Sequence, residues 1–342
     1  MNTKKIEKYL LELGESKFRL DQIKKAVYQD GIIDFAKIST LSKELREKLN
    51  SNFKILSAEP IEVLISQKKD SIKALLKLSD GNLIETVLIS PKSNVWSACV
   101  SCQVGCAVGC SFCATGKIGF KRNLTSEEIT DQVLFWKSYL RENNISGNFS
   151  NIVYMGMGEP FLNFEEVEKS LKVLISPDFF NFGSRKISVS TSGIMDKLEE
   201  FSEKFPQVNL ALSLHSANPE KRSQLMPINQ KYDLEKIKTE LQKYLKKYKR
   251  KIFIEYLMID GVNDGIEDAK ILVDYLKLIG FEYLLHVNLI RYNDTNDKYK
   301  PSSKNKVKAF EKHLFDQKIN VTIRKSLGQD IYAACGQLAG KK

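Results

Sequence analysis

At 342 residues, with 42% hydrophobic and 28% charged residues, the chain can bury one large core with a modest appendage, and its composition excludes a disordered or fibrous protein. A formal charge of +11 draws it to polyanions such as RNA, DNA or an acidic membrane surface without choosing among them. No stretch, from Met1-Asn2-Thr3-Lys4-Lys5 onward, reaches signal-peptide character or the ~20 apolar residues of a membrane span, so a cytoplasmic protein with no membrane partner is expected, and its six cysteines should be metal ligands or catalytic thiols.

Apolar residues at three- and four-residue spacing predict helices around Ile6 to Leu13, Leu20 to Tyr28 and Leu41 to Phe53, a small helical module. From Ile61 to Ile89 the pattern changes to short β-rich runs, with Asp80-Gly81-Asn82 turning between Ala74 to Leu78 and Leu83 to Ile89. Six further strands then alternate with helices: Val95 to Val100, Asn151 to Met155, Lys186 to Ser190, Val208 to Ser213, Lys251 to Met258 and His286 to Leu289. That alternation dictates a parallel sheet, and about six βα units make a partial barrel. Thr125 with Glu128 three residues on forms a capping box ahead of Ile129, Val133 and Leu134. The lysine-rich run from Lys243 to Lys251 reads as the solvated end of a helix. The chain is thus an α/β protein with an accessory region at 1–94, a barrel at 95–325 and a C-terminal tail at 326–342.

Barrels collect their chemistry in the loops beyond the C-terminal strand ends. There, Cys106-Ala107-Val108-Gly109-Cys110-Ser111-Phe112-Cys113 sets three thiolates on one short loop, able to converge on a metal centre. Three ligands on a four-iron cubane leave one iron open, able to chelate S-adenosylmethionine and pass it an electron. The alternative is a closed zinc site with Cys102 as fourth ligand, within a non-catalytic RNA-binding protein. Gly156-Met157-Gly158-Glu159 follows an apolar strand, where glycines let the backbone approach a ligand and Glu159 can accept from an ammonium group.

These motifs resemble the radical S-adenosylmethionine superfamily, and within it the RlmN-type adenine-C2 RNA methyltransferases, cousins of the C8-methylating Cfr enzymes. The resemblance runs over nearly the whole chain. Its anchors are Cys99-Val100-Ser101, Cys113-Ala114-Thr115-Gly116, Gly156 to Pro160, Ser190-Thr191-Ser192-Gly193, Ser213-Leu214-His215 and Ala333-Ala334-Cys335-Gly336-Gln337. It implies a TIM-like partial (β/α)6 barrel, with Cys106, Cys110 and Cys113 holding a [4Fe-4S] cluster. Gly158, Glu159, Ser190, Ser213, Leu214, His215 and Asn293 would contact S-adenosylmethionine, two molecules of which are used per turnover.

Cys335 would carry the methyl group, Cys99 would resolve the RNA adduct through a transient disulfide, and Glu85 would accept the proton, although a glutamate on a strand ordinarily faces solvent. Adenine carbons 2 and 8 are electrophilic, which is why such a radical route is needed. The implied partners are 23S ribosomal RNA, tRNA beside the anticodon, and an electron donor such as flavodoxin or ferredoxin, served by a monomer. His286 to Asn293 resembles Cfr, whereas Pro160 after Glu159 favours carbon 2. Cys102 stands where the family commonly has serine. Lys117, Lys121, Arg122 and the basic N-terminal module of the accessory region at 1–94 are expected to contact RNA.

Overall fold

The computed structural model describes residues 1–295 and 298–340; Lys341 and Lys342 of the expected tail lie outside the described residues. The three N-terminal helices occupy Thr3–Glu12, Lys17–Lys24 and Lys43–Asn52, each burying the apolar stripe that its spacing sets: Ile6 and Leu10, Leu20 and Ile23, Leu45 and Leu49.

Among the described residues twelve strands follow. They are β1 Ala58–Ile65, β2 Ser71–Leu78, β3 Leu83–Lys92, β4 Val95–Cys99, β5 Gln103–Gly105, β6 Phe120–Asn123, β7 Asn148–Tyr154, β8 Ile187–Thr191, β9 Asn209–Ser213, β10 Ile252–Met258, β11 Leu285–Arg291 and β12 Asn320–Arg324. Ten of them form one sheet in the order β1-β2-β3-β4-β7-β8-β9-β10-β11-β12. From β4 onward every neighbour is parallel, the partial barrel that alternation of strands and helices requires. The six expected strands are β4, β7, β8, β9, β10 and β11, and β12 adds a seventh parallel strand at the edge.

β1, β2 and β3 join antiparallel to one another and to β4. They therefore extend the barrel sheet, and residue 94 lies within a sheet connection. β5 and β6 form a separate antiparallel hairpin that frames the three-cysteine loop.

Helix Ser126–Glu142 begins with the expected capping box: the Glu128 amide donates to Thr125 Oγ1 at 3.2 Å, and the Thr125 amide to Glu128 Oε2 at 2.9 Å. It buries Trp136 completely against the sheet. Helix Leu234–Tyr248 ends at Lys249 in the left-handed conformation, so the lysine-rich run closes a helix as read. Among the described residues no helix is long and apolar enough to cross a membrane.

Candidate active site

The cysteine segment is fixed from two sides before its thiols are considered. Gln132, on the helix behind the sheet, accepts from the Ser101 amide at 2.8 Å and donates to the Ser101 carbonyl at 2.9 Å. In front, the loop after β7 zips onto the same segment: the Cys102 amide donates to the Met157 carbonyl, the Met157 amide to Ser101 Oγ, and the Glu159 amide to Gln103 Oε1. Gly158 has φ +103°, and a Cβ there would stand 2.6 Å from that of Gln103, so only glycine permits this approach. Gly105 is equally constrained, since its Cβ would lie 1.8 Å from the Gly119 carbonyl oxygen.

Cys106, Cys110 and Cys113 are half-buried in the loop this frame holds. Burial pushes the Cys106 thiol up to about 12, and the Cys110 thiol well above its usual range. The Cys113 charge acts on both, and Cys106 acts on Cys110, so the three sulfurs share one electrostatic site. Among the described residues no three His, Cys, Asp or Glu side chains surround a point closely enough for a single metal ion. Three thiols spread over a loop suit a multi-iron cluster, in which each iron takes its own cysteine. Cys102 is 2% exposed within the hydrophobic core, and burial raises its thiol far up.

Glu159 is buried at the C-terminal end of β7. Its carboxylate accepts from the Phe161 amide at 3.1 Å and the Ser192 amide at 2.7 Å, and burial holds its pKa above the usual range despite these bonds. Ser190 Oγ and Ser213 Oγ, on adjacent parallel strands, lie 3.2 Å apart. Leu214 is fully buried, its amide donating to the Glu255 carbonyl. His215 has φ +57° and accepts at Nδ1 from the Leu257 amide at 3.1 Å, which leaves Nε2–H as its donor. Its ring meets Phe112 of the cysteine loop edge-on at 5.0 Å. Burial, with the Arg222 charge second, lowers its pKa to about 3. The expected contacts Gly158, Glu159, Ser190, Ser213 and His215 thus ring the strand ends around the cysteine loop.

Asn293 sits differently, since its amide serves the tail: Nδ2 donates to the Cys335 carbonyl at 3.1 Å, and Oδ1 accepts from Gln329 at 2.7 Å. The tail crosses the barrel mouth. The Ala114 amide donates to the Gly336 carbonyl at 2.8 Å, and Thr115 Oγ1 to that of Leu338 at 2.6 Å. Cys335 is exposed at this mouth. Although the residue is exposed, desolvation of its sulfur by the surrounding barrel residues raises its pKa, the Glu255 carboxylate adds to the rise and Arg324 opposes it. Cys99, at the end of β4, is half-buried. Its thiol is raised by burial and then by the charge of Cys335, so the two isolated cysteines are electrostatic neighbours.

Glu85 does not face solvent. At 2% exposure it pairs with Lys73 at 2.8 Å and accepts from the Ala339 and Gly340 amides at 2.6 and 3.0 Å. The β2–β3 surface turns this strand position inward beneath the tail. Arg122 is also placed otherwise than expected for a phosphate contact: it grips Glu128 through two bonds of 2.8 and 2.9 Å and also pairs with Asp80, so acidic neighbours engage its fork. Lys121 reaches Asn82 at 3.3 Å and Lys117 reaches Thr295 at 3.5 Å.

Sequence reasoning missed Gln103, Lys73, Arg222 and the pair Glu255 and Asn288, joined at 2.8 Å. Only the last pair carried a signal, a polar residue inside an otherwise apolar strand.

Residues 100–273 match the family model described as Radical SAM superfamily, and residues 1–55 match the Ribosomal RNA large subunit methyltransferase N-terminal domain. A protein of Thermoanaerobacter sp. strain X514, named "Probable dual-specificity RNA methyltransferase RlmN", is 41% identical, over 100% of this chain and 97% of its own. The like-named protein of Bacillus licheniformis is 43% identical, over 98% of this chain and 91% of its own. The crystal structure of a radical SAM methyltransferase from Sphaerobacter thermophilus superposes with a TM-score of 0.92 at 37% identity, covering 100% of this chain and 98% of that one.

Proposed function

The chain belongs to the RlmN family of the radical S-adenosylmethionine superfamily, and from that premise we propose that it methylates carbon 2 of adenine in 23S ribosomal RNA and in tRNA beside the anticodon. The observation that carries the reading is the docked tail, which sets Cys335 over the cysteine loop with Cys99 in electrostatic range. The names of the full-length relatives support RNA as the substrate.

In this reading Cys106, Cys110 and Cys113 hold a [4Fe-4S] cluster. When bound, that cluster supplies the electron that splits S-adenosylmethionine to a radical able to take hydrogen from an S-methyl group. Gly158 and Glu159 seat the ligand's amino end, with Ser190, Ser213, Leu214, His215 and Asn293 along its length. His215 is neutral at physiological pH, so it offers a hydrogen bond without adding charge.

Cys335 takes a methyl group from one S-adenosylmethionine and presents it to the radical formed from a second. The resulting methylene radical on Cys335 joins carbon 2 of adenine, and the adduct would return one electron to the cluster as Glu85 accepts the carbon-2 proton. Cys99 then attacks the Cys335 sulfur, breaking the sulfur–carbon bond so that the carbon takes up a proton as the base's methyl group while a disulfide forms, which the electron donor reduces. A flavodoxin or ferredoxin supplies electrons, and the monomer is the working unit.

The test is anaerobic reconstitution with iron and sulfide, followed by mass spectrometry of nucleosides from unmodified 23S ribosomal RNA and tRNA incubated with S-adenosylmethionine and reductant. 2-Methyladenosine is expected from both RNAs. 8-Methyladenosine would transfer the chain's chemistry to the Cfr type, and absence of methylated adenine from an intact, reducible cluster would sink the mechanism.

A further inference from the structure

Arg222 is fully buried in the short helix Pro219–Leu225. A guanidinium stays charged in proteins, and this one remains so even though burial lowers its pKa to about 10. Its Nη1 donates to Asn229 Oδ1 at 3.0 Å and its Nη2 to the Ser192 carbonyl at 2.7 Å, while Nε is buried without an acceptor. Among the described residues no carboxylate lies within ion-pairing distance of it. A buried cation without an anion is expensive and is retained where something compensates it.

The compensation lies toward the cysteine loop. That loop packs on the end of the Arg222 helix: the Ser111 amide donates to the Leu225 carbonyl at 2.9 Å, Phe112 lies in one apolar cluster with Leu225 and Met226, and the Met226 amide donates to the Arg222 carbonyl at 2.7 Å. The charges that act on Arg222 are Tyr275 and Cys110, and Arg222 acts on Cys110 in return. Tyrosine is neutral at physiological pH. Cys110 is therefore the one of these two groups that becomes an anion when it ligates iron.

We propose that Arg222 is the fixed counter-charge of the iron–sulfur cluster, a positioning residue on its Cys110 side that sets how readily the cluster accepts its electron. This rests on the three-cysteine cluster assigned above. Reduction adds one electron and no proton, making the cluster one unit more negative. A cation held in low dielectric stabilises that state more than the oxidised one and so raises the potential. The Ser192 contact fixes the guanidinium in place, and the absence of an acidic partner leaves its charge undiluted.

The experiment is a midpoint potential, read by electron paramagnetic resonance during dithionite titration of the full-length chain reconstituted with iron and sulfide, in the absence of RNA. Three variants are compared with the unchanged protein: Arg222→Gln, Arg222→Lys and Asn229→Asp, the last placing a carboxylate on Nη1 without altering Arg222. Arg222→Gln and Asn229→Asp are expected to weaken the reduction equilibrium about tenfold, which is about 59 mV for one electron, with Arg222→Lys close to the unchanged protein.

Unaltered potentials in Arg222→Gln and Asn229→Asp at full iron content would overturn the proposal. So would loss of S-adenosylmethionine affinity with no change in potential, which would make Arg222 a ligand anchor instead. Should Arg222→Gln fail to fold or to hold iron, Asn229→Asp decides alone. If the unchanged protein takes up no iron–sulfur cluster, the cluster assignment itself has failed, an outcome distinct from cluster-bearing variants with unmoved potentials.

Discussion

Cys102 and Cys106 are four residues apart, yet the chain treats them as different substances. The carbonyl of Cys102 is taken by the Leu124 amide and by Asn163 Nδ2 at 2.7 Å, which pins the residue with its sulfur in the apolar core, where a thiol behaves as a small hydrophobe. Cys102→Ala should therefore cost about 1 kcal/mol of stability, the value of one buried heavy atom, and leave iron per chain unchanged. A fall in iron content would show instead that Cys102 is a ligand. His215 permits a sharper test because its titration has a sign. Its folded value of about 3 lies below the 6.5 of an unperturbed histidine, so on acidification the unfolded chain gains a proton before the folded one does. The stability that His215 contributes is complete above 6.5 and is lost as pH falls toward 3. Glu159 and Glu255 are raised and act in the opposite sense, but they are present in both proteins and cancel in a comparison. Between pH 7 and pH 5.5 the unchanged protein should lose on the order of 1 kcal/mol more than His215→Gln in denaturant unfolding. Equal losses would mean that the imidazole is not held neutral.

At the scale of the element, the helix Ser126–Glu142 matters because its N-terminal turn and its Gln132 serve the site together. Glu128 closes the capping box and also grips Arg122 of β6, while Gln132, one turn on, holds both backbone groups of Ser101. Thr125→Ala should lower stability by about 1 kcal/mol and, by loosening the first turn, speed amide exchange at Ser101 more than at strands remote from it. The capping box was legible because its two residues sit at fixed spacing, and the strands β4, β7, β8, β9, β10 and β11 because buried parallel strands are apolar runs. β12 escaped because Asn320–Arg324 alternates exposed and half-buried residues at the sheet edge, and β5 because three residues inside a cysteine motif show no period. The cysteine loop was legible from spacing alone. Arg222, Lys73 and Gln103 were not, since each is a single polar side chain whose importance arises only from what the fold packs around it.

Across the whole molecule, the tail and the accessory strands meet at Glu85. The Ala339 amide donates to a carboxylate 254 residues earlier in the chain, and Lys73, from the neighbouring strand, both pairs with that carboxylate and reaches the Tyr332 carbonyl at 3.3 Å. The sheet's N-terminal extension thus holds the segment that carries Cys335, and the same carboxylate proposed to accept the proton from the RNA adduct is the one that ties the tail down. Loss of the Lys73 pair together with both amide bonds would release the tail. Lys73→Met should imitate part of that loosening by leaving a buried carboxylate with the two amides alone. Amide exchange across residues 332–340, followed by mass spectrometry, is expected to rise at least about tenfold, as a local opening free energy falls by about 1.4 kcal/mol or more, while the melting temperature stays within a few degrees. A large drop in melting temperature with tail exchange unchanged would mean that the pair stabilises the sheet and does not latch the tail.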